Sequence, residues 1–132
     1  KGGTMRLGSY ACVLKTDTKV FNLYQKLGRI EKDRLNLDTL NSERLGNIND
    51  GFIITEKHRH RYEVNPKFIK DLENKGLIFS GYHERNDNTK LMEFIELPNN
   101  KFFIGTQAHP EFTSSLLNPS PLFYGFVEAC LD

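Results

Sequence analysis

The sequence predicts an α/β fold, a central sheet flanked by helices, in one domain. Three observations carry that reading. Apolar runs of strand length recur at residues 10–14, 52–54, 77–81, 91–97 and 101–106. Helical stripes lie between them at 15–27, 66–75 and 121–131. At 132 residues the chain can bury one core and is too short for two ordinary ones.

The elements follow in order. Gly3 and Gly8 bracket a turn that feeds the first strand, Tyr10, Ala11, Cys12, Val13 and Leu14. Val20, Phe21, Leu23, Tyr24 and Leu27 share a helical face, and Gly28 ends that helix. From 28 to 51 polar residues dominate and the scattered Ile and Leu fit neither period, so a mobile surface insertion with at most one helical turn is expected. Phe52, Ile53 and Ile54 resume a strand that runs into the basic block His58-Arg59-His60-Arg61-Tyr62.

Asn65 and Pro66 cap and open a helix whose stripe, Phe68, Ile69 and Leu72, stops at Gly76. A strand follows at 77–81, and His83 beside Glu84 and Arg85 reads as part of a solvated polar turn. Pro98, Asn99 and Asn100 join the last two strands as a hairpin. Ser120 caps a final helix with Pro121 at its first position. Its stripe of Leu122, Phe123, Phe126, Val127, Cys130 and Leu131 is expected against the sheet.

Composition narrows the function classes. A net charge of +1 argues against bulk electrostatic attachment to nucleic acid. No apolar run reaches membrane-spanning length and no signal-peptide pattern is present, which points to a soluble, cytoplasmic protein. Two cysteines are not a disulfide framework, and both Cys12 and Cys130 are expected free and buried. The opening Lys1-Gly2-Gly3, without an initiator methionine, reads as part of something longer.

Two stretches bear chemistry. In the basic block, an extended backbone turns His58, His60 and Tyr62 one way and Arg59 and Arg61 the other. A metal pair at His58 and His60 lacks a sequence-adjacent third ligand. An RNA patch lacks a stacking platform. Recognition of an anion by one guanidinium, whose planar fork matches a carboxylate, fits better. The second stretch is Gln107-Ala108-His109-Pro110-Glu111-Phe112, where a strand stops at a proline. Glu111 can fix the tautomer of His109 through one ring nitrogen while the other serves a nucleophile. On an extended segment the two project to the same side.

Residues 107–112, followed by Thr113-Ser114 and Pro119-Ser120-Pro121-Leu122-Phe123, closely resemble the C-terminal signature of the class I, triad-type glutamine amidotransferase family. Gly3-Thr4-Met5-Arg6-Leu7-Gly8 and the block from Glu56 to Asn65 resemble the CTP synthase branch within it. The resemblance implies a three-layer sandwich with a mostly parallel central sheet, of which residues 1–132 are the C-terminal half. It implies His109 and Glu111 as catalytic histidine and carboxylate, and Arg61 as the residue holding the α-carboxylate of L-glutamine. Arg6 receives no role from it.

It also implies partners: the upstream half of the domain carrying the nucleophilic cysteine, and a synthase domain that aminates UTP with ATP and Mg2+ in a homotetramer. No cofactor or metal is expected on these residues themselves, nor any nucleic acid or membrane partner. Cys12 lacks the glycine neighbours of the nucleophile turn, so these residues alone are expected to be inactive. Half of such a fold would also expose a sheet edge and apolar faces, and is expected to be poorly soluble or to pair with another copy. Another class I amidotransferase, such as the GMP synthase type, or a non-catalytic interaction domain on the same scaffold, are the alternative readings.

Overall fold

A computed structural model describes residues 5–131. Gly3, and with it the start of the expected glycine-bracketed turn, lies outside the described residues. Five strands form one sheet: β1 (Arg6–Leu14), β2 (Phe52–His60), β3 (Ile78–Glu84), β4 (Lys90–Glu96) and β5 (Ile104–Thr106). Their order is β2-β1-β3-β4-β5 and every neighbouring pair is antiparallel.

The mostly parallel sheet implied by the resemblance is therefore corrected within the described residues. Short turns join β3 to β4 and β4 to β5, and such links are too short for the crossover that parallel neighbours require. The α/β character stands. Gly81 sits where β3 is tightly packed: a Cβ there would lie 2.8 Å from Phe94 and 3.0 Å from the Cys12 sulfur.

Helix α1 (Lys19–Lys26) forms where the stripe predicts. Thr18 caps it by accepting from the Phe21 amide at 3.1 Å, and the buried Glu96 carboxylate of β4 accepts from the amides of Lys19 and Val20 at 2.9 and 3.2 Å. These bonds satisfy amides that a helix start leaves orphaned. Val20, Phe21 and Tyr24 then bury into a core with Cys12, Leu14, Ile30, Ile54, Phe94 and Leu122.

Residues 28–51 carry more regular structure than the single helical turn expected of them. They hold α2 (Arg29–Arg34), a 3-10 turn (Leu37–Thr39) and α3 (Ser42–Leu45). Charge pairing within the stretch hides its order from a hydrophobic reading. Asp33 is buried because Arg29 pairs with it at 3.0 Å and the Thr55 amide donates to it at 2.9 Å. Downstream, Arg44 donates to Leu7 O at 2.9 Å and the Asn47 amide to Glu84 O at 2.9 Å, so the segment straps β1 to β3. Gly46 fits that strap with φ +62°, 2.1 Å from Glu84 O if it carried a Cβ.

Helix α4 (Ile69–Asn74) follows a 3-10 turn (Pro66–Phe68) that Asn65 caps, but Phe68 and Leu72 stay largely exposed. Strand β3 runs past its expected end, so His83 is buried within it rather than solvated in a turn; its Nδ1 is 2.7 Å from Ala11 O. Helix α5 (Pro121–Leu131) buries Pro121, Leu122 and Gly125, while Phe123, Phe126, Val127 and Leu131 face outward. Cys130 is exposed with them, contrary to the sequence expectation; Cys12 is buried as expected. No helix among the described residues is long and apolar enough to cross a membrane.

Candidate active site

His109 follows the end of β5, and Pro110 opens a 3-10 turn (Pro110–Phe112) directly after it. The pair His109 and Glu111 does meet, through this turn rather than along an extended chain. The Nδ1 of His109 donates to Glu111 Oε2 at 2.8 Å. That bond draws the Glu111 carboxyl below its ordinary range. Phe112 stacks on the imidazole with ring centroids 5.2 Å apart, fixing its plane. No hydrogen bond occupies Nε2 among the described residues, so that nitrogen can serve a reacting group.

Both ends of the turn are tied to β2. The His109 amide donates to Lys57 O at 2.8 Å. At the other end, the Thr113 hydroxyl donates to Glu56 Oε1 at 3.0 Å. Glu56 is buried and also accepts from the Tyr24 hydroxyl at 2.5 Å, with Arg29 at 3.5 Å supplying the opposite charge. Burial and the neighbouring Glu56 carboxylate push the Tyr24 phenol well up, so it remains a donor.

The inward alternation of β2 continues past Glu56. His58 is buried and His60 partly so, while Lys57 and Arg59 are exposed. His58 Nε2 donates to Glu93 Oε2 of β4 at 2.8 Å, and Arg6 forks onto both Glu93 oxygens at 2.8 Å each. Burial by itself would raise the Glu93 carboxyl; the bonds from His58 and Arg6 outweigh it and hold the group at about 2. His60 Nε2 bonds Glu63 Oε2 at 2.9 Å, and Arg6 reaches the same oxygen at 3.3 Å. Burial holds the His60 imidazole below its ordinary range, which favours its neutral form.

Ligand atoms of His58, His60 and Glu93 lie within 4.8 Å of one another, so β4 supplies the third ligand that the sequence did not place nearby. Both Glu93 oxygens are already engaged by Arg6, however, and the guanidinium stands where a cation would. The donor set fits an arginine-centred ion network better than a divalent metal.

Arg61 comes just after β2, exposed, and forms no ion pair or hydrogen bond among the described residues. No direct bond joins it to His109. The two segments are linked instead through Gln107, whose side chain donates to Tyr62 O at 3.1 Å. Neither cysteine is bonded to His109 among the described residues, and burial pushes the Cys12 thiol well up, away from thiolate chemistry. Sequence reasoning missed Arg6, Glu56, Glu93 and Thr113. The alternation Glu56, His58, His60 on one strand face was the signal that could have pointed to a buried polar seam.

The family described as Glutamine amidotransferase class-I matches residues 2–129. A CTP synthase of Saccharolobus solfataricus is 44% identical over 128 residues, covering 97% of this chain and 18% of that protein. One from Methanoculleus marisnigri is 46% identical over 129 residues, covering 98% and 19%. The chain thus spans about a fifth of the length of these curated relatives. Among solved structures, a Trypanosoma brucei CTPS glutaminase domain with bound acivicin matches with a TM-score of 0.71 at 27% identity, covering 96% of this chain and 39% of that one.

Proposed function

The chain belongs to the class I glutamine amidotransferase family, and from that premise we propose that it forms the C-terminal part of the glutaminase domain of a CTP synthase, with 28–51 an insertion in it. The observation that carries the proposal is the His109–Glu111 pair, bonded at 2.8 Å on a turn anchored to the strand that leads into Arg61, which is unpaired among the described residues.

In this reading Arg61 receives the α-carboxylate of L-glutamine and sets the side-chain amide against a cysteine thiolate from the upstream half of the domain. The thiolate attacks the carboxamide carbon. As the tetrahedral species collapses, protonated His109 gives its Nε2 proton to the departing nitrogen, releasing ammonia and leaving a thioester. His109 then takes a proton from water as that water attacks the thioester, yielding glutamate and restoring the thiol. Glu111 holds the ring in the required tautomer and stabilises the imidazolium.

The ammonia passes to a synthase domain that aminates UTP to CTP with ATP and Mg2+, in a cytoplasmic homotetramer. Those groups act on the partner domain.

The test is His109→Ala in the full-length protein. Glutamine-dependent CTP formation should fall by about a thousandfold or more, while formation from added ammonia is retained. Equal loss with both nitrogen sources, or no loss with glutamine, would overturn the assignment.

A further inference from the structure

We propose that Arg6 is a positioning residue for glutamine: it sequesters Glu63, and so keeps the guanidinium of Arg61 unpaired and its backbone fixed for the substrate carboxylate. The inference rests on Arg61 as the glutamine-binding residue.

The starting point is an imbalance of charge. Glu63 stands two residues beyond the exposed Arg61, close enough in the chain to neutralise it. An exposed arginine with a free carboxylate nearby is drawn into pairing, and a paired arginine must lose that partner before it can bind a ligand. Yet Glu63 is turned inward. Its side chain is 6% exposed, bonded to His60 at 2.9 Å and to Arg6 at 3.3 Å. Arg61 is left without a partner among the described residues.

Arg6 suits this task because it is itself held on several sides. In the β1–β2 ladder it lies opposite His60, one residue before Arg61. Its two terminal nitrogens fork onto Glu93, and Nη1 also reaches Glu63. The Tyr10 ring lies under the guanidinium, 4.5 Å from its centre. One planar group thereby ties β1 to β4 and to the segment after β2. A lysine ammonium is a point charge without the fork, so it cannot hold both carboxylates in this geometry. His60 completes the arrangement by bonding Glu63 from the residue preceding Arg61.

The experiment uses the full-length protein and reads KM and kcat for glutamine, together with CTP formation from added ammonia. Arg6→Lys should raise KM for glutamine about tenfold, leave kcat within about threefold, and spare the ammonia reaction. Adding Glu63→Gln to Arg6→Lys removes the charge that competes for Arg61 and should bring KM back toward the native value. A purely structural network predicts the reverse, since a second lesion in it can only make matters worse.

Should Arg6→Lys fail to fold, Glu63→Asp gives the same reading. Its shorter arm cannot reach both Arg6 and His60, and the freed charge should raise KM. An unchanged KM in the folded variant, or no recovery in the double variant, overturns the role of Arg6. Arg61→Gln is the parallel control: if it raises KM while Arg6→Lys does not, only this inference fails. If Arg61→Gln leaves KM unaltered, the underlying assignment of Arg61 fails, and this inference with it.

Discussion

Two histidine–glutamate pairs in this chain share one hydrogen-bond length and differ in almost everything else. His58–Glu93 and His109–Glu111 are both bonded at 2.8 Å, but the first pair is 1% exposed on each side and the second 38% and 53%. Distance alone therefore does not tell the two pairs apart; burial does. Glu93 is also gripped by Arg6, so protonating it would break a buried ion network. Glu111 is held mainly by His109 and is open to water. The second nitrogen separates them further. Among the described residues His58 Nδ1 is enclosed without a hydrogen-bond partner, whereas the half-exposed His109 keeps Nε2 unbonded.

The buried pair should control stability. Glu93 titrates near 4.5 in an unfolded chain and at about 2 in the folded one. A depressed carboxyl stabilises the fold above pH 4.5, and that contribution is lost as pH falls from there toward 2. The gap corresponds to about 3 kcal/mol. Urea unfolding at stepped pH should show that loss in native protein and not in a Glu93→Gln variant. A native profile that is flat below pH 4.5 would mean that the network is not a determinant of stability.

A smaller effect is expected where the exposed pair is fastened to β2. Thr113→Val removes the hydroxyl that joins the turn to Glu56. It should cost about 1 kcal/mol and lower kcat for glutamine without moving KM. A change in KM alone would show that Glu56 supports the Arg61 segment rather than the turn.

Much of the secondary structure was legible in sequence, because strand-length apolar runs and the Thr18 to Gly28 helix signals are local. The sheet's direction was less so. The hairpin at 98–100 announced one antiparallel pair, but the pairing of β1 with both β2 and β3 is set by contacts far apart in the chain. His109, Glu111 and Arg61 stood out through motif and spacing. Their supports did not. Glu93 sits inside an apolar strand, and its partners come from β1 and β2, so nothing within a few residues signals an ion network. His83 misled for a related reason: its charged neighbours suggest a turn, while the alternation of β3 buries it. In 28–51, Arg29 and Asp33 neutralise each other and bury as a unit, which a search for apolar periodicity passes over.

The central claim, that the exposed pair performs the chemistry and the buried pair holds the frame, meets its most direct test in Glu111→Gln. Glutamine hydrolysis by the full-length variant would be measured beside its unfolding free energy. The account predicts turnover reduced by about a hundredfold or more, with stability within about 0.5 kcal/mol of native. Native turnover, or a loss explained by unfolding, would contradict it.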